Sequence, residues 1–129
     1  MDYGISVWLD VSFNDAVERV RAALAAEGFG VLTEIDVRAT LRAKLGEAME
    51  DYLILGACNP PLAHRALGVD RRIGLLLPCN VVVRSADGGT VVEAMDPQVM
   101  VQVSGQAELT PVADEAAARL RSALDALHE

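Results

Sequence analysis

The chain has 129 residues, 52% of them hydrophobic but only 4% aromatic, with 11 basic and 19 acidic side chains and a formal net charge of −8. That length and apolar content suffice for one domain with a core of its own and exclude a disordered polymer. The acidic balance, with no basic stripe, argues against a nucleic-acid partner, and the scarcity of aromatics argues against stacking platforms for bases or sugars.

No apolar run approaches the ~20 residues that a membrane-spanning helix needs. The first ten residues carry acids and no basic segment, so no signal peptide and no membrane association are expected. A cytoplasmic location follows as an expectation, and with it reduced cysteines rather than a disulfide between Cys58 and Cys79.

In chain order, Ile5, Val7, Leu9 and Val11 alternate with Ser6, Trp8 and Asp10, the period-two pattern of a half-buried strand. Ser12 reads as a helix N-cap with Asp15 three residues on. Phe13, Ala16, Val17, Val20 and Leu24 share one helical face, and Gly28 ends that helix. A second strand follows, with Phe29, Val31, Thr33, Ile35 and Val37 expected on one side and Leu32, Glu34 and Asp36 on the other. Residues 38–45 read as a short helix closed by Gly46, with Arg38, Arg42 and Lys44 in solvent.

Tyr52 to Ala57 is an apolar run too short for a core helix and reads as a buried central strand. Asn59 followed by Pro60 and Pro61 opens a helix, since the amide caps and proline lacks an N–H that would go unpaired in the first turn. Residues 71–77 read as a helical turn in preference to a strand. Cys79–Arg84 and Thr90–Met95 flank a segment containing Asp87-Gly88, a strong hairpin signal. Residues 98–108 fit either a helical turn or a short strand. Thr110-Pro111 is expected to cap a last helix whose buried stripe is Val112, Ala113, Ala116, Leu120, Leu124 and Leu127. The order β-α-β-α-β-α-β-β-α, as a single domain over residues 1–129, predicts an α+β fold with helices on one face of a largely antiparallel sheet.

The feature that stands apart is a repeated pair, Cys58-Asn59 and Cys79-Asn80, holding the only two cysteines of the chain. Each pair lies against an apolar run and a proline. The blocks around them are Ile54-Leu-Gly-Ala-Cys-Asn-Pro60, Ala63-His-Arg-Ala-Leu67 and Leu76-Leu-Pro-Cys-Asn-Val-Val-Val83. With Gly28–Val37, Lys44-Leu-Gly46 and Asp96-Pro97, they strongly resemble the domain-of-unknown-function family 302 over nearly the whole chain. Glu47–Asp51 and Val101–Gly105 fall outside the recognisable blocks. The resemblance implies a curved sheet with helices on one side, similar in topology to a TATA-box-binding-protein half, and a homodimer. It implies no biochemical role, and the acidic chain gives the topological likeness no DNA-binding meaning.

Thiolates are nucleophiles and soft metal ligands where their surroundings favour ionisation. A site built from Cys58, Asn59, His64, Cys79 and Asn80 is therefore the candidate ligand-binding or catalytic centre, with Cys58 beside a helix N-terminus and His64 further along that helix. A soft-metal version, for copper(I) or zinc, would draw on Cys58, Cys79 and His64, with Met95 or Met100 as further donors. The competing account makes both cysteines small buried hydrophobes, Asn59 a helix cap and the methionines core filling. Asn80, an amide within an apolar strand, is the least readily explained by packing. Glu34 and Asp36 as an acid–base pair lack a histidine or metal partner. No nucleophile elbow or phosphate loop is present. Three readings stay open: a small homodimeric binding protein, a cysteine-dependent enzyme of sulfur or thiol redox chemistry with Cys79 resolving Cys58, and a purely structural dimer module.

Overall fold

The computed structural model describes residues 2–128. Five strands, β1 (Gly4–Leu9), β2 (Gly30–Asp36), β3 (Tyr52–Cys58), β4 (Cys79–Ala86) and β5 (Gly89–Met95), form one antiparallel sheet in the order β1-β5-β4-β3-β2. The helices are α1 (Phe13–Ala26), α2 (Val37–Leu45), α3 (Pro60–Val69), α4 (Gln98–Ser104) and α5 (Thr110–Ala126). The fold is α+β, a curved sheet with its helices on one face.

Local chemistry explains most of the boundaries. Ser12 accepts a hydrogen bond from the Asp15 amide at the start of α1, and Asp36 does the same for Ala39 at the start of α2. Gly46 ends α2 with φ +68°, a left-handed geometry that glycine enters without steric cost. The β4–β5 turn places both Asp87 and Gly88 at positive φ, which matches the twist of the two strands and fixes their register from Val81↔Ala94 to Ala86↔Gly89. Arg71–Leu76 is a 3-10 turn.

In three places the structure departs from the sequence expectation or decides between its alternatives. Val31 pairs with Ala57 and Thr33 with Gly56, so Leu32 is an extra residue that bulges out of β2. Because strand side chains alternate with period two, that one insertion reverses the facing of everything after it. Ile35 thus pairs with Ile54 on the bare face of the sheet, while Glu34 faces the helices and ion-pairs with Arg21. Secondly, residues 98–108 resolve into α4 and a 3-10 turn at Ala107–Leu109. Thirdly, that turn runs straight into α5, so Thr110 is the first helical residue and Leu109, without a side-chain bond, occupies the cap position.

Two cores lie under the helices. The larger joins the inner sheet face (Leu55, Val81, Val83, Val92) to α1 (Ala16, Val20, Leu24) and to the C-terminal half of α5 (Leu120, Leu124). The smaller gathers α3 (Leu62, Ala66), Ile73, Met100 and the N-terminal half of α5 (Val112, Ala113, Ala116). Small alanines along α5 let the backbones approach closely in both.

Gly89 and Gly56 hold close approaches. Trp8 covers Gly89, where a Cβ would stand 2.7 Å from Trp8 Cζ2, and the indole N–H donates to the Ala86 carbonyl at 3.0 Å. At Gly56 a Cβ would collide with Thr33 Oγ1 and stand 2.9 Å from Pro78 Cγ. Gly56→Ala should therefore destabilise the protein by about 1–3 kcal/mol in urea unfolding, the usual range for overpacking. Gly68→Ala, in α3 with no atom within 4 Å of the added carbon, should instead be neutral or stabilising by up to about 1 kcal/mol.

Candidate functional site

Cys58 is the last residue of β3 and Cys79 the first of β4, and the register Ala57↔Cys79 places Cys58 one step beyond Cys79's cross-strand partner. Both line one small cleft at that end of the sheet. Leu62, Ala63 and Ala66 of α3 form one wall, Met100 of α4 with Val112 and Ala116 of α5 another, and Leu77-Pro78 borders it. The cavity is about 30 Å³, and its lining is mostly apolar. That exceeds the ~10–15 Å³ minimum for one water and falls far below the several hundred Å³ of an ordinary organic-ligand pocket.

The two thiols occupy different surroundings. Cys58 is partly exposed at the start of α3, whereas Cys79 is buried. Burial, with a smaller contribution from the neighbouring Cys58, pushes the Cys79 thiol up from its ordinary 9.0 to about 11. Cys79 is thus a neutral thiol at physiological pH.

Asn59 is buried, and its bonds are structural. Its Oδ1 accepts from the Leu62 amide at 3.3 Å, capping α3, and its Nδ2 donates to the Glu27 carbonyl at 3.5 Å. The second bond ties the end of α1 to the beginning of α3. Gly28, at φ +84°, sits so close that a Cβ there would lie 3.1 Å from Nδ2.

The other two sequence candidates lie elsewhere. His64 is exposed on α3 and does not line the cleft. Asn80 is exposed on the opposite face of the sheet, in a shallow depression with Tyr3, Tyr52, Glu93 and Met95. The structure therefore unites Cys58, Asn59 and Cys79 at one cleft and separates Asn80 from them by the alternation of β4. Of the two methionines, Met100 belongs to the cleft and Met95 to the other face. Among the described residues, no three His, Cys, Asp or Glu side chains cluster as a metal-holding group. No helix among them is long and apolar enough to cross a membrane. Glu34 and Asp36 are engaged by Arg21 and the α2 cap respectively. The walls from Ala66, Met100 and Ala116 were not legible as a site, because nothing local links three helices that meet only on folding.

A family model described as "Domain of unknown function DUF302" matches residues 5–127. The chain belongs to the DUF302 family. The crystal structure of an uncharacterized conserved DUF302 protein from Bacillus stearothermophilus is similar at 30% identity, with a TM-score of 0.91, over 97% of this chain and 98% of that one. No curated protein matches. The match covers the β3 and β4 motifs within one continuous DUF302 domain, so both Cys-Asn pairs lie inside the family region.

The raised thiol has a pH signature. Unfolded Cys79 ionises near 9.0 and folded Cys79 near about 11, so the unfolded state gains its charge first as pH rises. Stability should be unaffected by Cys79 below pH 9 and should fall between pH 9 and 11, by about 3 kcal/mol at most. Urea titrations across that window should show the decline in the parent protein and a flatter profile in Cys79→Ala. Iodoacetamide at pH 8 should label Cys58 well before Cys79.

Proposed function

We propose that this DUF302 protein is a small cytosolic homodimer that binds a small soft ligand in the cleft between Cys58 and Cys79. The observation that carries the reading is the convergence of both cysteines of the chain, from two strands, on one apolar cavity of about 30 Å³. A cavity of that size takes an ion or a few atoms, and sulfur is the chemistry its walls offer. The partly exposed Cys58 provides the entry point and the buried Cys79 the inner contact. The TATA-box-binding-protein-like topology belongs to this reading as a statement about shape alone.

The bare face of the sheet supports pairing with a second copy. By strand register it carries one acid, Glu93, and one base, Arg84, in a chain of net charge −8. Two like-charged chains meet at least cost where each is electrically balanced, and Glu93 and Arg84 on one face suit a two-fold arrangement. Trp8, Tyr52 and Ile35, amphipathic or apolar and at least partly exposed, supply contact area there. Asn80 acquires a place in this arrangement as a polar group within the contact.

A thiol-enzyme reading is favoured by one feature, the partly exposed Cys58 at the start of α3. The protonated state of Cys79 counts against the resolving role it would need.

Native mass spectrometry of protein purified anaerobically, without chelator or reductant, tests the proposal. The expected spectrum is a dimer with extra mass that Cys58→Ala removes, and Ile35→Glu should yield monomers that retain the extra mass. A bare chain mass would overturn the ligand site, and a monomeric parent protein would overturn the pairing.

A further inference from the structure

Resting on the thiol-cleft reading, we propose that the ligand is a monovalent soft metal ion, copper(I) in chemical class, held by the sulfurs of Cys58, Cys79 and Met100. Three sulfur-bearing residues line this cavity, and each comes from a different element: β3, β4 and α4. Met100 is 2% exposed, so its thioether is shielded from water within the same smaller core that forms the cavity wall.

The donor chemistry selects the ion. Asn59, the amide on the wall, already commits its oxygen to the Leu62 amide and its nitrogen to the Glu27 carbonyl. His64 is exposed on α3 and outside the lining, so it brings no imidazole to the cavity. Among the described residues, no carboxylate lines it. Hard cations want oxygen ligands, and structural zinc wants four donors, whereas thiolate with thioether favours copper(I). The space of about 30 Å³ suits a bare ion and not a hydrated one with its water shell.

Binding is a proton-for-metal exchange. Two S–H bonds give way to two metal–sulfur bonds, two protons pass to solvent, and Met100 contributes a lone pair without losing a proton. The metal stays monovalent throughout, so no oxidant or reductant is consumed. The two thiolates and the ion leave one net negative charge, in a cleft otherwise lined by apolar groups and the Asn59 amide.

The test is anaerobic titration of the intact protein with copper(I), delivered as its acetonitrile complex in competition with bicinchoninate. The expected result is one copper per chain in native mass spectrometry, lost in Cys58→Ser. Met100→Leu should weaken affinity at least tenfold, while Met95→Leu, on the other sheet face, should leave it unchanged. Cys79→Ser should also abolish binding; its circular dichroism checks folding, and Met100→Leu decides the outcome if that variant unfolds. Equal affinity in Met100→Leu and the parent overturns the three-sulfur site. Failure to take up copper(I), in protein that nonetheless carries a Cys58-dependent mass from the anaerobic preparation, overturns the metal and leaves the cleft reading standing. Failure of both overturns the two together.

Discussion

The antiparallel pairing of β3 with β4, running from Tyr52↔Arg84 to Ala57↔Cys79, is the constraint on which the rest of the molecule depends. These two strands occupy the interior of the sheet, and the connection between them carries α3 and the 3-10 turn. It must leave β3, cover the sheet end and re-enter at Cys79 in a fixed register. A slip of one residue would turn Leu53, Leu55, Val81 and Val83 away from the larger core. The same register brings the two cysteines together. Their proximity is thus a by-product of strand alignment, and no direct bond between them is required to maintain it.

Asn59 transmits this constraint to the helices. One amide caps α3 and holds the last turn of α1, so the angle at which α3 leaves the sheet is coupled to where α1 ends. Arg119 of α5 adds a bond to the same Glu27 carbonyl at 3.3 Å, and three helices therefore meet at one backbone oxygen. Gly28 is packed tightly against this convergence, since a Cβ there would meet both the Asn59 amide and the Arg119 guanidinium.

Much of the fold was legible locally. Strand alternation in β1, the Ser12 and Asn59 caps and the Asp87-Gly88 turn each depend on residues a few positions apart, and the chain uses them as elementary propensities dictate. The bulge at Leu32 was not legible, because Leu32 suits a regular strand as well as a bulge. Only the pairing partners Ala57 and Gly56 reveal it. The cleft was half legible. Two cysteines beside prolines marked its mouth, but its far wall depends on α4, whose Val99–Val103 stretch suits either a turn or a strand. Asn80 shows the opposite limitation: its sequence neighbour Cys79 faces inward, so the alternation that defines a strand sends the amide to the other side.

The cleft also lies where the two cores meet. Phe29 and Ala57 belong to the larger, Leu62, Ala66, Met100, Val112 and Ala116 to the smaller, and all of them border the same space. Only α5 runs through both, contributing its first half to one and its second half to the other. Space at such a seam is the part of a close-packed interior that hydrostatic pressure acts upon, because compression favours states in which internal space is lost. The compressible part of this interior therefore borders both cores, and α5 is the element that spans them.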